Sequence, residues 1–307
     1  MEAADPEAHK CMECGITDCE CTSFCPTEDD DRFCKCGHKR SAHAANDDET
    51  MVSAIPCYWT NQSVEEKSHF FEWIDCDDDT VQEIQQLVDA SVKRTWTRDR
   101  GKGMKVPSGY TVAAVKRSEN YKLWRKYVLK RSLIKQNLER DTDLPFEAYT
   151  VKTALAGTPS FMSGEPLDES CNEWLMWHGT SLEGAERICE IDFKQRLAGT
   201  ATGTLYGRGT YFAESCTKAD EYAQVAQDGE HAGLFAMLLC RVVGGRVRYT
   251  DEPEPDADAL TADCLHGSFD AVLGDREKCR NTFREFVLFA SDQAYPEYIV
   301  FYKRRFE

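Results

Sequence analysis

The sequence has no run of about 18 apolar residues, so no helical stretch of it is long enough to cross a bilayer. Its first ten residues, MEAADPEAHK, lack the basic start and apolar core of a secretory signal. Both absences lead us to expect a protein kept inside the cell, in nucleus or cytoplasm, without a membrane partner. Positive charge is also scarce. Lys and Arg number 37 against 54 Asp and Glu, a formal net charge of −17. Sequence-independent nucleic-acid binding depends on cations displacing counterions from phosphates, so that class of function is set aside. Lys116–Lys135 is a local exception, interrupted by the single acid Glu119, and reads as a solvated helix face. No internal repeat is visible.

Apolar residues make up 41% of the chain and aromatics 11%, ordinary for a globular protein. Its 307 residues suffice for one sizeable domain and a small appendage. The cysteines divide unevenly. Seven of the 15 lie between Cys11 and Cys36, and the rest scatter from Cys57 to Cys279 and read as buried thiols. Crowding of the first kind in an intracellular chain points to metal ligation. Zinc takes four Cys or His ligands in a tetrahedron, and Cys21, Cys34, Cys36 and His43 form the cleanest set. Cys11, Cys14, Cys19 and Cys25 could hold a second ion, and the pairing stays open. The competing reading is an acidic tail with reactive thiols.

Three regions follow: a Cys/His-rich zinc module over 1–45, an irregular linker over 46–74, and a large domain over 75–307. The large domain opens with helical spacing at Val81, Ile84, Leu87, Val88, Val92 and Trp96, behind a capping box at Asp79 and Gln82. Tyr110–Lys116 reads as a strand and Leu123–Leu138 as a second helix. Short apolar runs separated by glycines then suit strands at Trp174–Trp177, Gly209–Ala213, Leu234–Val243, Phe286–Phe289 and Tyr298–Tyr302. Brief helices fit Leu182–Glu190 and Cys216–Ala226, and Asp251–Asp258 reads as an exposed acidic loop. The expected class is α+β, with a mixed or antiparallel sheet and flanking helices.

Three segments carry candidate chemistry. In WHGTS, His178 ends a strand before Gly179, Thr180 and Ser181. In YGRGTYFA, a turn containing Arg208 delivers Tyr211 into a strand. In REFVLF, Glu285 enters an apolar strand. Singly, each has a plain structural explanation: a strand end, a hairpin turn, a carboxylate facing water.

Taken in order, these segments resemble the poly(ADP-ribose) polymerase type of ADP-ribosyltransferase. LMWHGTS, LYGRGTYFAESCTKADEYA, SFDAVLGD and REFVLFASDQAYPEYIVFY match its catalytic domain in sequence and spacing, with KRSENYKLWRKY upstream, over about residues 75–307. The resemblance implies a catalytic triad of His178, Tyr211 and Glu285 with NAD as substrate. It implies that His178 holds the adenosine ribose, Gly179 clamps the carboxamide, and Tyr211 and Tyr222 stack on the nicotinamide ring. Glu285 would bind the nicotinamide ribose, and Thr180 and Arg208 complete the expected NAD contacts. Glu297, in a similar-looking strand, is expected to be structural. Where many relatives carry a serine that bonds the carboxamide, this chain has Ala219.

The implied chemistry is cleavage of the nicotinamide–ribose bond and transfer of one or more ADP-ribose units to protein acceptors. A fixed carboxylate beside the sugar stabilises the positive charge that develops at the anomeric carbon. The same carboxylate can take the proton of an incoming acceptor. Two readings of other classes compete: an inactive NAD or ADP-ribose binder using the same pocket, and a zinc-dependent interaction protein.

Overall fold

The computed structural model describes residues 55–62, 70–162, 164–193 and 204–307. All eight expected zinc ligands, Cys11, Cys14, Cys19, Cys21, Cys25, Cys34, Cys36 and His43, lie outside the described residues. Of the eight scattered cysteines, five are buried, Cys76 and Cys279 are half-buried, and Cys57 is exposed, contrary to the expectation for it.

Among the described residues, nine strands form one sheet. They are β1 (Phe71–Asp75), β2 (Gly109–Asn120), β3 (Glu173–Gly179), β4 (Thr210–Ala213), β5 (Phe235–Val243), β6 (Val247–Thr250), β7 (Ala271–Asp275), β8 (Arg284–Leu288) and β9 (Ala294–Arg305). Their spatial order is β1-β2-β9-β5-β3-β4-β8-β7-β6. Every pairing is antiparallel except β6 with β7. The mixed, mostly antiparallel sheet agrees with the expected class. The central strands are covered on both sides: Tyr295 to Tyr302 of β9 are all buried, and the run reads as continuously apolar apart from Pro296 and Glu297.

Helix α1 (Asp78–Ser91) turns Ile84, Leu87 and Val88 onto one face of the sheet, against Trp177 and Met237. Its cap differs from the expected one: the Asp77 side chain accepts from the Thr80 amide, so the helix begins two residues earlier than an Asp79 cap requires. Its end differs too. Val92 is extended, and the Lys93 amide donates to Thr217 Oγ1 at 3.1 Å, drawing the chain off the helix axis. Trp96, expected on the buried face, is therefore 51% exposed.

Helix α2 (Tyr121–Arg140) packs Trp124 and Tyr127 against Tyr295 and Trp59. Trp59 and β1 both come from the stretch expected to be irregular, so part of residues 46–74 belongs to the packed body. The reading of Lys116–Lys135 as a solvated face is also corrected. Lys130 is buried beside Asp292 at 3.2 Å, Arg131 reaches Glu173 at 3.0 Å, and Lys135 pairs with Asp168. The acids lie on other elements far along the chain, so sequence spacing gave no sign of them.

Helix α3 (Leu182–Glu190) is capped by Ser181, whose hydroxyl accepts from the Gly184 amide. Helix α4 (Cys216–Ala219) is shorter than the expected Cys216–Ala226: beyond it the amides of Glu221, Tyr222 and Ala223 bond the carbonyls three residues back, at Lys218, Ala219 and Asp220, a tighter turn that does not continue the helix. Helix α5 (Ala257–Leu265) starts inside the segment read as an acidic loop, with Asp256 as its cap, and α6 (Arg276–Arg280) links β7 to β8. No helix among the described residues is long and apolar enough to cross a membrane.

Candidate active site

Strands β3 and β4 sit at the middle of the sheet yet share a single residue pair, Trp177 with Ala213. Where they part, a cavity of about 500 Å³ opens between the end of β3, the start of α3, β4 and α4. That size falls in the ordinary range for small-molecule sites.

His178, Gly179, Thr180, Tyr211, Tyr222 and Glu285 all line this cavity. The strand order explains the convergence. His178 lies on β3, Tyr211 on β4 and Glu285 on β8, and the three strands are neighbours although their residues span more than a hundred positions. Glu285 pairs with Ala213 across β4, so it shares a sheet face with Ala213 and Tyr211. Arg208 is the exception: it is exposed on the turn before β4 and is not among the cavity residues. Glu297 lies elsewhere, fully buried and bonded to Arg241 at 3.0 Å and to Tyr58.

Each wall is built tightly. Gly179 passes so close to α4 that a Cβ there would lie 1.8 Å from the Ala219 carbonyl oxygen. Only glycine permits that approach. The Tyr211 hydroxyl donates to the Gly207 carbonyl at 2.9 Å and accepts from the Tyr206 amide at 3.0 Å. Those bonds tie it to its own turn while the ring faces the cavity. Burial raises the Tyr211 pKa, so the ring stays neutral at physiological pH. Burial also holds the His178 imidazole below its ordinary value, only partly offset by the Tyr211 carbonyl.

The poly(ADP-ribose) polymerase catalytic domain matches this chain over residues 90–304. The chain belongs to that family. It is 28% identical over 141 residues to the protein mono-ADP-ribosyltransferase PARP12 of Mus musculus, covering 45% of this chain and 17% of that protein. It is 27% identical over 151 residues to the mono-ADP-ribosyltransferase PARP11 of Mus musculus, covering 42% of each. PARP10 of Mus musculus, also a mono-ADP-ribosyltransferase by name, is 31% identical over 143 residues, covering 44% of this chain and 14% of that protein. The chain thus spans less than half the length of these relatives.

The cavity also contains a group with no assigned role in the sequence: Lys218. Lys218, from α4, places its ammonium 3.3 Å from Glu285 Oε1, 3.0 Å from Glu221 and 2.7 Å from Asp99. Burial alone would depress this lysine, but the carboxylates, Glu285 foremost, hold its pKa above the ordinary value. The ammonium is charged at any physiological pH. The signal was a lysine three residues before one acid and four before Tyr222, both of which reach it once α4 forms. Asp99 was harder to find: it comes from the turn-rich loop between α1 and β2, more than a hundred residues upstream.

Proposed function

We propose that this chain is an NAD-dependent protein ADP-ribosyltransferase. One observation carries the reading: His178, Tyr211, Tyr222 and Glu285, from four separate segments, line a single cavity large enough for part of a dinucleotide. In the proposed reaction the bond between the ribose anomeric carbon and the nicotinamide nitrogen breaks, and nicotinamide leaves with the electron pair. Tyr211 and Tyr222 hold the departing ring; aromatic pairings of this kind contribute about 0.5–1.5 kcal/mol beyond burial. The Glu285 carboxylate, steadied by Lys218, faces the sugar as positive charge develops there. An acceptor oxygen then bonds to the anomeric carbon, and its proton passes to Glu285.

The relatives named above are called mono-ADP-ribosyltransferases, which favours transfer of single units to protein acceptors. The Cys/His-rich segment over 1–45 is proposed as a separate module holding structural zinc, to be tested by metal analysis of the purified chain.

Incubation of the full chain with NAD labelled in the adenylate tests the activity. The expected result is label on protein together with free nicotinamide, both reduced about a hundredfold in Glu285→Ala. NAD binding without nicotinamide release would instead establish a binder. A discrete shift in gel mobility supports single units; a ladder of products overturns that part.

A further inference from the structure

The loop joining α1 to β2, residues 92–108, closes one side of the cavity. Three of its side chains bond the α4 segment. The Thr97 hydroxyl donates to Glu221 at 2.8 Å. Arg100 donates to the Asp220 carboxylate at 2.8 Å and to the Thr217 carbonyl at 3.0 Å. Asp99 accepts from Lys218 Nζ at 2.7 Å and from the Tyr222 hydroxyl at 2.9 Å. Thr97 and Arg100 bond residues outside the cavity lining, whereas Asp99 lines the cavity itself.

We propose that Asp99 is a positioning residue for the transfer reaction, setting Lys218 beside Glu285 with one bond and holding the Tyr222 ring at the cavity with the other. The inference rests on the transferase reading above. An ammonium on a four-carbon stem has many rotamers and fixes little by itself. Glu221 restrains Lys218 from the buried side, and Asp99 restrains it from the cavity side, with side-chain exposures of 0% and 21%. Between them the ammonium stays within 3.3 Å of Glu285. Tyr222 is 37% exposed, and its hydroxyl is anchored through Asp99 at 2.9 Å, with Lys218 more distant at 3.4 Å.

The two bonds can be separated by substitution. Both bonds fall on Asp99 Oδ2, so Asp99→Asn keeps an acceptor oxygen for the Tyr222 hydroxyl but removes the negative charge that attracts the Lys218 ammonium. Tyr222→Phe keeps the ring and the Asp99–Lys218 pair but frees the ring from its anchor. Nicotinamide release from NAD by the full chain should therefore show a split. We expect Asp99→Asn to lower kcat about tenfold with KM changed less than about threefold, and Tyr222→Phe to raise KM about threefold or more with kcat nearly kept. Asp99→Glu, which restores the charge, should recover most of the kcat lost in Asp99→Asn. Wild-type kcat in Asp99→Asn overturns the proposal. So does an equal loss in the Asn and Glu variants that follows their loss of thermal stability, because that marks a merely structural residue. Should the wild type leave NAD intact, the transferase reading fails separately, and calorimetric binding of nicotinamide then decides: a threefold or greater loss of affinity in Asp99→Ala supports the positioning of Tyr222, and unchanged affinity overturns it.

Discussion

His178 and Tyr211 are joined through the tyrosine's backbone: the imidazole Nδ1 lies 2.9 Å from the Tyr211 carbonyl oxygen. A carbonyl only accepts, so Nδ1 carries the proton and Nε2 presents a lone pair. Phe193 and Phe212 pack on the ring at centroid distances of 5.3 and 5.5 Å, which fixes its plane.

This arrangement sets a pH dependence of stability. In the unfolded chain the ring takes up a proton near its ordinary value of 6.5, while burial holds the folded ring below that value. Between the two values the unfolded state binds more protons, so stability rises with pH there and is lost as the pH falls below 6.5. Urea midpoints measured from pH 7.5 downward should show this loss in the wild type. The His178→Gln variant should lack that component, and parallel pH profiles for the two proteins would contradict the assignment.

Asp220 governs the stability of the wall that carries Lys218 and Tyr222. It is fully buried and accepts from Arg100 at 2.8 Å, Arg304 at 2.8 Å, Tyr302 at 2.6 Å and Tyr110 at 3.3 Å. Asp220→Asn leaves two largely buried guanidinium groups without a counter-charge, at a cost of about 3–5 kcal/mol. The exposed Arg94–Glu307 pair is the control, since breaking it should cost less than about 1 kcal/mol. Urea unfolding of both variants checks the ordering, and equal midpoints would contradict it.

The cavity residues were legible because three segments, taken in order and with their neighbours, resemble the poly(ADP-ribose) polymerase catalytic domain; singly, a His before Gly179, a glycine-bounded turn before Tyr211 and an acid before an apolar strand each read as plain structure. The strands around them alternate or run apolar strongly enough to be read directly. Asp99 was not legible, and neither was the place of Lys218 beside Glu285, because both depend on contacts between distant segments, which no periodicity encodes. The same holds for the basic residues of α2, whose acidic partners come from β3 and from the segments flanking it and β9. Strands β1, β6 and β7 were missed for another reason. They are four or five residues long at or near the sheet edges, with two apolar residues in β6 and three each in β1 and β7, runs too short to establish a period.

Gly179→Ala should abolish the site. Its Cβ would lie 1.8 Å from the Ala219 carbonyl oxygen and 2.6 Å from the carbonyl carbon, and backbone atoms cannot swing aside. Either α4 moves or the end of β3 does, and both carry cavity residues. Overpacking of this kind costs about 1–3 kcal/mol, so the protein should remain folded while its nicotinamide affinity falls sharply. Gly184→Ala is the useful contrast, because there the nearest atom is the flexible Thr180 hydroxyl. Calorimetry that found Gly179→Ala and Gly184→Ala equal in affinity would contradict this account.

Ala219→Ser should act in the opposite direction. Ala219 lines the cavity beside Gly179 and is 3% exposed, and family resemblance puts a carboxamide-bonding hydroxyl at this position in many relatives. A hydroxyl there adds one hydrogen bond to a bound nicotinamide, worth about 0.5–1.5 kcal/mol, or roughly a two- to tenfold gain in affinity. The unliganded variant gains nothing comparable, because its new hydroxyl loses water on folding without finding that partner. Its melting temperature should therefore stay level or fall while nicotinamide binding tightens. A tighter complex with unchanged folding stability places the carboxamide against α4; no gain in affinity removes the carboxamide from that wall.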